Sequence, residues 1–315
     1  MRQTFVILIA LLVILPWSYR SLRPSNGCPE AVPAACTECL GQDPPAEHVD
    51  PADVEDRVLL NHLNGEATRL IDAKRTTSLS HLVKQLDREQ CELTLPEPRP
   101  LAEGAVEVYA KARASVVVVA GIFKCKNCSK WHSTTASGFV LTSTGAVVTN
   151  YHVVNDREKE TLLVMTADQH VFPVEQVLAA DRRDDVAILK VDAKDLIPLS
   201  VTETADAAPV GSTVSVISHP ANRFFCYTTG VVSRRLKRHS ADKETSDILI
   251  TADFARGSSG APVLNGRGQV VGIVRATDSV YYSKEGDRQK NLQMVFKICV
   301  PSASLLHLVR DAASQ

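Results

Sequence analysis

From about residue 104 onward the sequence predicts an all-β fold, a sandwich or a barrel. Three observations lead there. Short runs rich in β-branched residues recur. Gly, Pro, Asn or Asp turns separate them. Helical patterns between them are lacking, which argues against a parallel α/β sheet. The expected strands are Ser115–Ala120, Gly138–Thr142, Ala146–Asn150, Thr161–Thr166, Val186–Val191, Thr213–Ile217, Gly230–Ser233, Ile248–Thr251, Gln269–Val274 and Met294–Val300. A short helical stretch, Val106–Ala112, leads into the first strand, and Leu305–Ala313 reads as a terminal helix. Aromatics are only 5% of the chain, so Val, Leu, Ile and Ala must build the core. Hydrophobic residues make up 44% and the formal net charge is −1, so no global bias toward nucleic acid or an acidic substrate exists.

The N-terminal third is organised differently. Arg2 precedes an unbroken apolar run, Phe5–Leu15, which reads as a secretory signal over residues 1–20. Pro16, Trp17 and Tyr19 make a poor cleavage site, so a cleaved signal and an uncleaved membrane anchor both stand. Residues 21–50 carry Pro, Ala and acids without periodicity and read as a flexible linker. Residues 51–100 predict a helical hairpin and a Pro-rich linker. Asp50 suits an N-cap and Pro51 the first turn. Leu59, Leu63, Ala67 and Leu70 then recur at helical spacing, followed by Leu79, Leu82, Val83 and Leu86. The hairpin serves either as a spacer or packing partner, or in oligomerisation. Leu95–Pro100 cannot continue a helix, because each Pro removes a donor and restrains its predecessor. The main domain boundary is expected there, with residues 104–315 as the principal domain.

Three segments carry the chemistry. T-N-Y-H-V-V ends a strand at His152. R-R-D-D-V-A-I-L-K-V sets Asp185 at the mouth of a buried strand. G-S-S-G-A-P-V-L holds Ser259 in a Gly-flanked turn. A serine hydroxyl is a weak nucleophile until an imidazole takes its proton, and a carboxylate must hold that imidazole in one tautomer. A Gly turn exposes successive backbone N–H groups that could bind an oxyanion, here those of Gly257 and Ser259. Singly, each signal has a bland reading: a strand cap, a surface histidine, an ordinary turn. Together, in the order His, Asp, Ser and all at strand ends, they predict acyl transfer with the base and its orienter in a first barrel and the nucleophile in a second.

These segments, with A-S-G-F-V-L-T-S-T-G-A-V-V-T-N-Y-H-V-V, D-V-A-I-L-K-V, G-S-S-G-A-P-V-L-N-G-R-G-Q-V-V-G-I and V-F-K-I-C-V-P, resemble the trypsin-like serine proteases of the HtrA (DegP-like) group over roughly Ala105–Ser302. The resemblance implies two antiparallel six-stranded β-barrels with the site between them. It places His152, Asp185 and Ser259 on the triad and Gly257 on the oxyanion glycine. It implies an extracytoplasmic serine endopeptidase acting on protein or peptide substrates in quality control or processing, with no cofactor needed for catalysis. Three departures stand out. With about a dozen residues after Pro301, no PDZ domain of the kind usual in the group is expected; T-A-D-F-A-R-G-S-S before the serine is shorter than in the group; and Ala261 replaces its second glycine after the serine.

Specificity is weakly written. The strand Gly272–Thr277, with Ile273, Val274 and Arg275 as substrate-binding residues, is expected to pair with substrate backbone. Asp253, six residues before Ser259, stands where trypsin has its pocket aspartate; a structural role capping a turn is the other reading. C-K-N-C-S-K-W-H, Cys125–His132, fits a disulfide, a redox pair or a zinc knuckle, with His132 a further ligand and Cys36 and Cys39 a second pair. Cys226 and Cys299 are either bridged or simply buried. The basic run Arg234–His239 reads as a solvated loop, or else as a site for an acidic surface. No nucleic-acid module or nucleotide fingerprint is present. A protease-like binding scaffold without turnover is the alternative from another class, and an oxidoreductase acting through Cys125 and Cys128 is a third.

Overall fold

The structure is a computed structural model that describes residues 53–310, except 98–99, 103, 126, 203–206, 240–243 and 287. Ahead of the barrels lie helix α1 (Asp56–Asp72), helix α2 (Leu79–Val83), the two-residue strand β1 (Cys91–Glu92) and helix α3 (Ala105–Ala112). α1 buries Leu59, Leu63, Ala67 and Leu70, the stripe its periodicity predicts. Each buried Leu contributes roughly 2 kcal/mol. The residues expected to start this helix, Asp50 and Pro51, lie outside the described residues, as do the signal or anchor segment and linker at 1–50; α1 itself begins after Glu55.

The first barrel closes in the order β2-β3-β4-β7-β6-β5. Its strands are β2 (Val116–Lys124), β3 (Trp131–Val140), β4 (Ala146–Thr149), β5 (Thr161–Met165), β6 (Val171–Asp181) and β7 (Val186–Val191). Helix α4 (Tyr151–Val154) follows β4 directly. The Val run of β2 is buried on both faces. Val116, Val118, Ala120 and Ile122 enter one core and Val117 and Val119 another, as a period of two requires. The first of these cores also takes the α1 stripe and Ile217, Leu264, Ile273 and Val300 of the second barrel.

The second barrel closes in the order β10-β13-β12-β11-β8-β9. Its strands are β8 (Thr213–Ser218), β9 (Cys226–His239), β10 (Glu244–Ile250), β11 (Pro262–Asn265), β12 (Val270–Glu285) and β13 (Arg288–Pro301). After it come helix α5 (Ser302–Leu306) and β14 (Val309–Arg310), which pairs parallel with β1. The two-barrel, mostly-β architecture is the one expected.

Several local expectations are corrected. The terminal helix stops at Leu306, because Cys91 and Leu93 take the backbone carbonyls of Leu308 and Arg310. The basic run at Arg234–His239 is not a loop but part of β9, paired to β10 from Glu244↔His239 to Leu249↔Arg234. Exposed arginines sit there because one strand face is solvated while the backbone stays paired. The stretch at Leu95–Pro100 carries no break in packing. Leu95 and Leu101 pack on the core, the Leu101 N–H donates to the Arg267 carbonyl (2.8 Å), and residues from Pro51 onward form one unit. Among the described residues no helix is long and apolar enough to cross a membrane.

Candidate active site

Strand β4 ends at Thr149, and the single turn of α4 turns His152 toward the cleft with half of its side chain exposed. Asp185 stands at the β6–β7 turn. Asp181 Oδ1 shapes that turn by accepting the N–H groups of Arg183 (2.7 Å) and Asp184 (3.0 Å). Asp185 has φ +58°, a left-handed conformation that Asp tolerates better than most residues. The Asn150 side-chain amide donates to its carbonyl at 2.8 Å, bracing that backbone. Both carboxylate oxygens face His152: Oδ1 accepts the His152 backbone N–H at 2.9 Å and Oδ2 lies 2.8 Å from Nδ1. One carboxylate therefore fixes the position of the ring and engages Nδ1, leaving Nε2 without a partner among the described residues.

Ser259 lies in the turn between β10 and β11, half-buried, on a cavity of about 280 Å³ that His152 and Gly257 also line. Its turn is held by its carbonyls. Ala221 N–H donates to the Arg256 carbonyl (2.7 Å), Ser137 Oγ to that of Gly257 (2.9 Å), and Ser137 N–H to that of Ser259 (2.8 Å). The Ser258 N–H is used locally by the Ala255 carbonyl (3.0 Å), whereas no described residue accepts the N–H of Gly257 or Ser259. Those two donors are left for a ligand oxygen. Gly257 has φ +99°, and a Cβ there would sit 2.5 Å from the His219 carbonyl; at Gly260 it would meet the Ser137 carbonyl at 2.3 Å. Neither position admits a side chain.

Ser137 and His219 were not legible as site residues. Ser137 ties β3 of the first barrel to the serine turn of the second, and its Oγ also accepts the His219 N–H at 3.1 Å. His219 is fully buried and accepts the Phe225 N–H on Nδ1 at 3.1 Å. Burial pushes its pKa down to about 4, with the nearby Arg113 charge adding to the effect.

Residues 136–273 match a family model described as a trypsin-like peptidase domain. The chain is 36% identical over 156 residues to the chloroplastic Protease Do-like 1 of Arabidopsis thaliana, a match covering 48% of this chain and 34% of that protein. It is 34% identical over 137 residues to a probable periplasmic DegP-like serine endoprotease of Ectopseudomonas mendocina, covering 44% and 28%. The chain thus spans 34% and 28% of these relatives' length. An HtrA-type protease solved with a decapeptide superposes with a TM-score of 0.49 at 18% identity, covering 64% of each chain. The relatives' names fall in the group that the sequence motifs resemble.

On the other side of Ser259 the peptidase domain has a cavity of about 240 Å³, lined by Phe254, Ala255 and Arg256 and by Val274–Thr277. Asp253 does not line it. Its side chain is 83% exposed and pairs with Lys297 Nζ at 2.8 Å, which anchors the lysine whose Nζ also donates to the Phe254 carbonyl at 2.5 Å. Within the expected substrate strand Gly272–Thr277, the first half is closed off. Ile273 is fully buried and paired on both sides, to Pro262 and to Val300, and Val274 is held by Ala261 and Gly260. The edge facing the cleft becomes free after Val274: Arg275 sits at a bulge in the ladder, and Ala276 and Thr277 pair only with β13. The Arg275 side chain turns away to Asp247 (3.1 Å), a carboxylate 1% exposed that also lies 2.8 Å from Arg238 Nε.

The β2–β3 hairpin of the domain brings Cys125, Cys128 and His132 together. Backbone N–H groups of Asn127 and Cys128 and the Cys128 thiol hold the Cys125 thiol below its usual pKa. Cys36 and Cys39 lie outside the described residues. Cys226 and Cys299 are free thiols, half-buried and buried respectively, and burial pushes Cys299 upward.

Proposed function

We propose that the chain is a serine endopeptidase acting outside the cytoplasm, with Ser259 as nucleophile, His152 as general base and Asp185 as orienter. The observation that carries the reading is the double engagement of His152 by Asp185, on a cavity shared with Ser259 and two uncommitted backbone N–H groups. In the first half-reaction Ser259 Oγ attacks the scissile carbonyl carbon while its proton passes to His152 Nε2. The N–H groups of Gly257 and Ser259 bind the oxyanion. The C–N bond breaks, His152 protonates the leaving amine, and an ester to Ser259 remains. Water then attacks the ester through the same base and regenerates the hydroxyl.

The apolar walls that Phe254, Val274 and Ala276 give to the second cavity support an apolar side chain before the scissile bond, with Asp253 acting structurally. The periplasmic naming of the DegP-like relatives and the apolar run at Phe5–Leu15 support an extracytoplasmic role in protein quality control or processing. Ser259→Ala is expected to lower casein turnover by ~10⁶-fold and to abolish labelling by a fluorophosphonate, because the triad acts as a unit. Undiminished degradation by the variant overturns the assignment. A wild type that neither labels nor turns over makes the chain a protease-like scaffold. Cleavage-site profiling on the same pair reads the side-chain preference.

A further inference from the structure

The tip of the β2–β3 hairpin holds a donor set that the peptidase chemistry does not use. The strands run paired from Val116↔Phe139 to Lys124↔Trp131, and the Cys125 N–H closes the turn onto the Lys130 carbonyl at 3.1 Å. Within that turn the Sγ atoms of Cys125 and Cys128 and a ring nitrogen of His132 all lie within 4.8 Å of one another. Cys128 Sγ is 3.1 Å from His132 Nε2, and the His132 ring is backed by Phe123, with centroids 5.9 Å apart. On tetrahedral zinc, bonds of ~2.3 Å to sulfur and ~2.1 Å to nitrogen put those two ligands roughly 3.5 Å apart, a few tenths from what is seen.

The fold of the segment argues against the other two uses of such a cysteine pair. A redox pair instead opens a helix at its first cysteine, and this segment is a hairpin turn. A disulfide requires the sulfurs at ~2.05 Å and leaves the imidazole unused.

We infer that Cys125, Cys128 and His132 bind a zinc ion at the tip of this hairpin. Two thiolates and one imidazole form a borderline-soft set suited to zinc and poor for calcium or magnesium. The fourth tetrahedral position is open to water or another ligand. The ion clips the turn to β3. Farther down the same hairpin the cross-strand pair Gly121↔Thr134 lines the cavity of His152 and Ser259. The metal thus stiffens the arm forming one wall of the cleft, while peptide hydrolysis takes place without it.

The test uses the full-length chain, kept reduced with a phosphine and stripped of metal, and does not depend on proteolysis. Cobalt(II) titration is expected to give about one equivalent bound, with thiolate-to-cobalt charge-transfer absorption and tetrahedral ligand-field bands, all displaced by zinc. Cys125→Ser with Cys128→Ser together should remove the charge-transfer absorption. His132→Ala keeps both thiols; it should shift the ligand-field bands and weaken binding by at least the ~10–100-fold that losing a mere supporting partner costs. That variant also serves if the double mutant does not fold. Absence of thiolate absorption in the wild type, equal metal uptake by the double mutant, or a His132→Ala titration identical to wild type overturns the inference. So does a Cys125–Cys128 disulfide in the native protein whose reduction yields no metal uptake.

Discussion

His219 shows how one buried side chain can set the acid limit of this fold. Its backbone N–H and carbonyl flank Ser137 and Gly257, and its ring lies among Phe224, Phe225 and the Arg113 guanidinium. In the unfolded chain a histidine takes up its proton near pH ~6.5. In the folded chain His219 does so only near about 4. Between those values the unfolded state holds more protons, so stability falls as pH drops through the window, by on the order of 3 kcal/mol for this group. Urea unfolding of His219→Gln, which keeps an acceptor for the Phe225 N–H, should show a shallower loss from pH 7 to pH 4.5 than the wild type. Parallel curves would show that His219 is not the group responsible. The sequence announced His152, Asp185 and Ser259 because each sits in a local motif. It was silent on His219 and Ser137, whose roles come from backbone groups distant along the chain.

At the scale of elements, β2, β4, β5 and β7 were legible because almost every residue in them is apolar and buried. β6 escaped notice because Pro173 and polar Glu175 and Gln176 interrupt it and two bulges break its alternation. β11, of four residues, was legible only as the strand into which the serine turn opens. β12 and β13 run far beyond their apolar parts as a mostly exposed hairpin, where main-chain pairing alone keeps the strands regular. α1 was legible as a helix, with packing partner among its readings, but its place in the core of both barrels was not. Leu63 has no exposed surface and shares a core with residues of both barrels. Leu63→Ala should therefore destabilise the whole folded unit by ~2–5 kcal/mol in a single cooperative transition. If α1 were only a spacer, the barrels would melt at an unchanged temperature.

At the scale of the molecule, charge as well as apolar packing joins the barrels. Arg238 on β9 donates from Nη1 to the Arg183 carbonyl at 3.2 Å and from Nη2 to Asp184 at 3.4 Å, in the turn that carries Asp185. The same guanidinium faces Asp247, whose other oxygen accepts from Arg275 on the cleft edge. Burial raises the Asp247 pKa against the pull of Arg275 and Arg238, so the carboxylate depends on both partners. Arg238→Met keeps the stem's volume and removes the charge. It should cost ~3–5 kcal/mol, the range for breaking a buried pair on one side. Asp247→Asn in that background should recover part of the loss, and a double-mutant cycle with no coupling energy would refute the clasp.

By itself the sequence determined the class of strands, their approximate places, the helical stripe of α1 and the three motifs at strand ends, because these are written in spacing and in local turn chemistry. Tertiary structure alone decided how they combine. It closed the sheets into two barrels, drew Leu59–Leu70 into their shared core and turned the basic run Arg234–His239 into a paired strand. It also sent Asp253 outward to Lys297 and moved the open edge of β12 past Ile273. The physical reason is common to all of these. A side chain's type limits what it can do, but its partner is chosen by which distant backbone or charge the closed barrels bring within a few ångströms.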